Sequence, residues 1–248
     1  MKHAVLHAVL EERQSDNTPL LYVETHAGRG RYDLQGAQAK KTAEAELGVL
    51  ALPSPTSAPK SLRPWLRHIE TDLPGRYPGS PALACSFLNQ KSRAIFFERH
   101  PTEHAALKEA LADAPDAVQI FHQDGYRGTL RLQPRRGESM LVLLDPSYET
   151  MADMEALADW VPRALQKWPR AQMLIWLPLF SDERERDFGA YLSELDEGFV
   201  AGARWPEGSA GDSALVGSAV VGLRIGGRPA ERAFAIAESL EKIWSEVG

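Results

Sequence analysis

Asp145, Pro146, Ser147 and Tyr148 follow directly on an unbroken apolar run, MLVLL, at residues 140–144. A short run of this kind suits a strand buried on both faces, as in a parallel sheet. Pro146 cannot continue the strand, so Asp145 and Tyr148 fall at its carboxyl end. That is the edge at which open α/β sheets bind ligands. A carboxylate there can accept from an N–H group, and an aromatic ring can stack on a π face. The group therefore suits a flat polar molecule. The plainer alternative is a loop aspartate beside a half-buried tyrosine.

Three further strand ends carry polar or glycine-containing stops. LLYVE at 20–24 is followed by THAGRG, AIFFE ends on Glu98, and VQIFHQ is followed by Asp124 and Gly125. In a doubly wound sheet all of these stops share one edge with Asp145. Gly28 and Gly30 allow positive φ and close approach of the backbone to a ligand. Glu98 has acceptor capacity for two ribose hydroxyls, and Asp124 for an adenine amino group. Taken singly, Glu98 reads equally as a solvated charge, Asp124 as an Asx turn with Gly125, and the glycines as an ordinary turn. In register they point to an adenosine-containing cofactor. GRGRY is not the GxGxxG of a dinucleotide site, and there is no GxxxxGK[ST] phosphate loop. An adenosyl group without a pyrophosphate remains, with S-adenosylmethionine as the candidate.

The elements that must hold these residues alternate. Strands are expected at 20–24, 94–97, 118–122, 140–144 and 173–177. Helices are expected at 3–13, 102–113, 151–168, 182–195 and 229–246. Residues 151–168 have a clear 3.6-residue apolar period, with Pro162 predicting a kink. This alternation implies βαβ units and a mostly parallel sheet. Two later strands, near 202–205 and 214–225, are expected to pair antiparallel at one edge. Residues 38–92 are too long for one crossover and read as a small, mainly helical insertion in one domain spanning 1–248. Within it, helices are expected at about 38–52 and 62–69, and Ser80-Pro81 reads as a helix start with Ser80 as N-cap.

The bulk numbers agree with one globular α/β domain. The chain has 248 residues, 44% of them hydrophobic and 25% charged, and a net charge of −6. Any nucleic-acid partner needs a local basic face, for which Arg29, Arg31, Lys40, Lys41, Arg63, Arg67, Arg76, Arg135 and Arg136 are candidates. A single cysteine, Cys85, permits no intrachain disulfide. The histidine pairs His3/His7 and His100/His104 have a zinc-compatible spacing but lack the glutamate of HExxH, so no metal is expected. No apolar run approaches the ~20 residues of a membrane span, and the start lacks the features of a secretory signal. A cytoplasmic monomer is expected.

The stretches MKHAVL, THAGRGRY, KKTAEAELG, RYPGSP, ERHP, QDGY and DPSYE resemble the bacterial RlmJ family of 23S rRNA adenine-N6 methyltransferases, once described as proteins of external-DNA catabolism. IWLPL and GSAVVGL extend the likeness. The resemblance implies a Rossmann-like methyltransferase fold with a helical insertion. It implies contacts to S-adenosylmethionine from His3, His26, Ser80, Glu98, Asp124 and Gly125, with Asp145 catalytic and ribosomal RNA, through an unpaired or flipped adenine, as partner. DPSY stands where amino-methyltransferases carry [DN]PP[YF]. On that pattern Asp145 and the Pro146 carbonyl would accept the amino N–H bonds while Tyr148 stacks on the base. Two departures accompany it. Ser147 replaces the second proline, and an upstream segment usual in the family is absent, which implies a misassigned start or a site closed differently. The alternative functions are a DNA adenine methyltransferase and a non-catalytic binder of nucleic acid or cofactor.

Overall fold

A computed structural model of the chain describes residues 1–15, 18–34, 48–73, 75–148, 150–208 and 214–247. The expected helix at 38–52 and Lys40-Lys41 lie largely or wholly outside them. Helix α1 spans Lys2–Ser15 and leads to strand β1, Leu20–Glu24. A short strand β2, Arg31–Asp33, follows the glycine turn and pairs antiparallel with β3, Arg76–Pro78. Between these two strands lies α2, Arg63–Ile69. Helix α3 is Ser80–Ser86, then β4 is Arg93–Phe97 and α4 is Pro101–Ala110. Strand β5, Val118–Phe121, is followed by a one-turn helix α5, Gly125–Thr129, which the sequence pattern does not announce. The remainder runs β6 Ser139–Leu144, α6 Met151–Lys167, β7 Gln172–Phe180, α7 Arg186–Glu194, β8 Gly198–Arg204, β9 Leu215–Leu223 and α8 Gly227–Val247.

The main sheet has seven strands in the order β5-β4-β1-β6-β7-β9-β8. From β5 through β7 all pairings are parallel. β9 runs antiparallel to both β7 and β8, as expected for two strands close in sequence. The fold is a mostly parallel, Rossmann-like sheet whose order reverses between β1 and β6. That reversal opens a crevice beyond the carboxyl ends of these two strands.

Both faces of the sheet are covered, which explains why its central strands read as continuous apolar runs rather than alternating ones. On one face Leu20, Tyr22, Ala94, Phe96, Leu141 and Leu143 join the apolar sides of α1 and α8. On the other, Leu21, Val23, Ile95, Phe97, Val142 and Leu144 meet the stripe Met154, Leu157, Trp160, Val161, Ala164 and Leu165 of α6. Each fully buried aliphatic side chain contributes roughly 1.5–3 kcal/mol, so both faces hold β1 and β6 at a fixed depth. The ends of those strands are rigid mounts.

One local expectation is corrected. The N-cap of α3 is Gly79, and Ser80 and Pro81 are its first helical residues. Ser80 is buried, and its hydroxyl is used elsewhere, as described next.

Candidate active site at the carboxyl edge of the sheet

The four strand ends lie side by side. Ladder hydrogen bonds continue past the strands: the Thr25 N–H donates to the Leu143 carbonyl (3.2 Å), Ala27 to Phe97 (3.0 Å) and Glu98 to Phe121 (3.0 Å). The segments after β1, β4 and β5 are thereby tied into one rim. Gly28, at φ +64°, donates its N–H to Glu98 Oε2 at 2.8 Å. An L side chain is strained at that φ. Gly125 packs so tightly under β1 that an added Cβ would sit 1.9 Å from the Thr25 carbonyl oxygen. Any larger residue there would push the β5 end away from the β1 end.

Glu98 is 8% exposed, and its other oxygen accepts from the His100 N–H at 2.7 Å. Two backbone donors fix the carboxylate while leaving lone pairs on both oxygens. Asp124 caps α5 by accepting from the Arg127 N–H at 2.8 Å through Oδ1. Its Oδ2 has no hydrogen-bond partner among the described residues. His26 bonds Thr25 through Nδ1 (2.8 Å) and sets its ring edgewise to Tyr126 at 4.9 Å. Burial lowers its pKa to about 4, so the imidazole is neutral.

Beyond β6 the setting changes. The Lys2 ammonium, at the start of α1, forms an ion pair and hydrogen bond with Asp145 Oδ2. The same ammonium lies 5.3 Å from the centroid of the Trp176 ring. Burial is the largest influence and opposes the Lys2 charge, but Asp145, Tyr32 and Glu24 together outweigh it and hold the lysine pKa above the usual value. Burial raises the Asp145 pKa, with Lys2 pulling against that rise. Pro146 is buried and Ser147 exposed. Tyr148 is 7% exposed and takes φ +53°, a left-handed conformation costing roughly 1–2 kcal/mol for an L residue. Its hydroxyl donates to the Trp176 carbonyl at 2.6 Å, which ties the loop to β7.

Three participants were not singled out by sequence reasoning. Glu24, the last residue of β1, is 0% exposed and accepts from the Tyr22 hydroxyl (2.7 Å) and the Ser80 hydroxyl (2.8 Å). Burial lifts its pKa to about 8, those two hydrogen bonds opposing. Trp176 follows Ile175, which is paired in parallel register with Leu144, so it stands level with Asp145. The polar-stop rule misses it because β7 runs on past this edge. Lys2 lies 143 positions from its partner, a separation at which sequence offers no signal.

His3 bonds the Tyr77 hydroxyl through Nδ1. With Lys2, Tyr77 and Trp176 it lines a cavity of about 560 Å3. The rim residues His26, Gly28, Glu98, Asp124 and Gly125 are not among that cavity's lining. The cavity thus adjoins the rim at Arg29 and Glu103, which also line it, and Asp145 is joined to it through Lys2. Of the candidate basic residues, Arg29 is spent on Glu103 (2.9 and 2.6 Å) and Arg31 on Asp72 (2.9 Å). No helix among the described residues is long and apolar enough to cross a membrane.

Comparison with known proteins fits this geometry. The sequence profile described as ribosomal RNA large subunit methyltransferase D, RlmJ, matches residues 17–200. The chain belongs to the RlmJ family. It is 29% identical over 187 residues to a Haemophilus influenzae protein named ribosomal RNA large subunit methyltransferase J, and 26% identical over 183 residues to the Escherichia coli protein of that name. Each match covers 72% of this chain and 65% of the relative, so the chain spans just under two thirds of those relatives' length. A crystal structure from Legionella pneumophila superposes with a TM-score of 0.85 at 23% identity, covering 98% of this chain and 91% of the other. That likeness shows that RlmJ-family chain and neighbour share one fold.

Proposed function

We propose that this RlmJ-family chain is an S-adenosylmethionine-dependent methyltransferase acting in the cytoplasm on the exocyclic N6 amino group of an adenine in large-subunit ribosomal RNA. The names of its relatives support the ribosomal RNA part of this reading. The observation that carries the rest is the alignment of Glu98, Asp124 and Asp145 along one edge at the sheet's switch point.

The donor set fits the cofactor. Glu98 retains acceptor sites for two ribose hydroxyls, and the Asp124 Oδ2 atom is left for an adenine amino group. Gly28 and Gly125 keep Cβ atoms off the rim, while His26, Ser80 through Glu24, and His3 shape its flanks. When bound there, S-adenosylmethionine would supply a methyl group on a sulfonium centre.

An adenine amino nitrogen is a poor nucleophile because its lone pair is delocalised into the ring. Asp145 Oδ1, which has no hydrogen-bond partner among the described residues, and the Pro146 carbonyl would accept its two N–H bonds. This draws the nitrogen toward a tetrahedral shape and aims its lone pair. Tyr148, anchored to Trp176, would present its ring to the base. Alignment is the main term, so positioning outweighs general-base strength. The adenine must be unpaired or flipped to reach this depth. Incubating the protein with tritiated cofactor and either ribosomal RNA or duplex DNA tests the assignment. Transfer to the RNA alone is expected; transfer to duplex DNA alone would overturn the substrate.

A further inference from the structure

A second hollow, of about 630 Å3, lies along the flank of α1 and shares no lining residue with the cavity described above. His7 and Glu11 face it from α1, and Lys60, Arg63, Arg67 and His68 face it from α2 and the residues just before it. Its electrostatics are unusual for a chain of net charge −6. Glu11, the one carboxylate lining it, is paired with Arg232 at 2.6 Å. No ion pair engages Lys60, Arg63 or Arg67 among the described residues. Three cations without an ion-pair partner among the described residues therefore face one concavity, whose single carboxylate is paired with Arg232.

Two buried nitrogens at the same place also lack partners. The Arg63 guanidinium donates one Nη2 bond to the Ala58 carbonyl (2.9 Å), while its Nε has none. His7 is 3% exposed, and its Nδ1 has no hydrogen-bond partner. Its ring is fixed edgewise against His68 and Phe87, each at 5.1 Å and 85°. Burial keeps this imidazole neutral, with a pKa of about 4, so it carries one N–H rather than two. A buried polar group without a partner costs about 1–3 kcal/mol; an anion's oxygens would satisfy the Arg63 Nε–H, and the His7 Nδ1 in the tautomer that carries its proton there. Arginine-rich hollows with fixed N–H donors match phosphate in geometry.

The position of the hollow selects the phosphate. His7 stands one turn after His3 on the same side of α1, a rise of about 6 Å, and His3 lines the cavity beside Asp145's partner Lys2. The cavity and the hollow are thus about one helical turn apart along α1, within reach of the backbone flanking an adenine held at Asp145.

We propose that the hollow between α1 and α2 binds a backbone phosphate of the RNA strand, at a site distinct from the methyl-transfer edge. This rests on the RNA-methyltransferase reading given above. The test uses the full chain carrying Lys60→Ala and Arg67→Ala, both at exposed side chains, with Arg63→Ala as a second variant. Affinity for a labelled ribosomal RNA fragment is measured by fluorescence anisotropy across salt from about 0.05 to 0.3 M, beside methyl-transfer kinetics. The double variant is expected to bind RNA about tenfold more weakly. Its slope of log affinity against log salt should be shallower by about 0.7, one lost phosphate contact on single-stranded RNA. Its kcat at saturating RNA and its affinity for S-adenosylmethionine should match wild type. Wild-type affinity and slope in both variants, with wild-type protein active on RNA, would overturn the phosphate site alone. Weaker binding with an unchanged salt slope would mark a packing role and also overturn it. If wild-type protein neither binds nor methylates ribosomal RNA, the substrate reading falls and the phosphate site with it.

Discussion

The two halves of the sheet edge hold their carboxylates in opposite ways. On the β5-β4-β1 side, Glu98 and Asp124 are fixed by backbone N–H groups of Gly28, His100 and Arg127. Those donors belong to turns and a helix start, and they are in place whatever the ligand. On the β6-β7 side, Asp145 is held by a side chain, Lys2, reaching from α1, and its loop is tied down through a strained tyrosine bonded to Trp176. Side-chain partners can be exchanged, and backbone partners cannot without refolding the turn. On the function proposed here, the first half would serve as a standing receptor for the cofactor, and the second for a reaction in which hydrogen bonds at the carboxylate are remade.

That contrast can be broken by substitution. Asp145→Ala should have the largest effect, lowering the methyl-transfer rate by about 10²–10³-fold, as loss of one aligned polar group does elsewhere. Its cofactor affinity by calorimetry should stay close to wild type. Glu98→Gln should do the reverse. Losing charged acceptor bonds worth roughly 1.5–3 kcal/mol should weaken cofactor binding by about 10–100-fold, with a smaller change in rate at saturating cofactor. Equal effects of both variants on both readouts would erase the division between the halves.

Lys2→Met sharpens the comparison through pH. Burial raises the Asp145 pKa and Lys2 opposes the rise. If transfer needs ionised Asp145, activity falls as pH drops through that pKa. Without Lys2 the acid limb of kcat/KM should move to higher pH, while Glu98-side cofactor binding keeps its profile. An acid limb at the wild-type position would separate Lys2 from the carboxylate's function.

Glu24→Gln should give the smallest effect, on stability. The folded-state pKa of Glu24 is raised from 4.5 to about 8 by burial. The stability linked to its neutral form is full below pH 4.5 and is lost as pH rises through 8. Wild-type Tm should therefore fall from pH 5 to pH 9 relative to the Gln variant. Parallel Tm curves would show that Glu24 does not titrate in this window.

Much of the first half was legible in the sequence because its signals are local. A strand ended by Glu98, or by Asp124 and Gly125, announces both the element and the polar group at its tip. The amphipathic stripes of α6 and α8 were likewise legible from period alone. The second half was legible only at Asp145 and Tyr148. Lys2 and Trp176 reach the site through tertiary packing, one from a helix 143 residues away and one from a strand that does not stop at the edge. Ser80 illustrates a related limit. Its type and its neighbour Pro81 fit an N-cap, yet a buried acid on β1 takes the hydroxyl instead. β2 and β3 were not legible because three residues each carry too little pattern, and their pairing depends on chain far apart in sequence.

Asp145 and its loop are proposed to present an adenine amino group for methylation. Nucleoside mass spectrometry of ribosomal RNA treated with the protein and labelled S-adenosylmethionine tests this most directly. Labelled N6-methyladenosine, as the one new methylated nucleoside, is the expected result. Label confined to a ribose or to another base, from a protein that binds the cofactor, would contradict it.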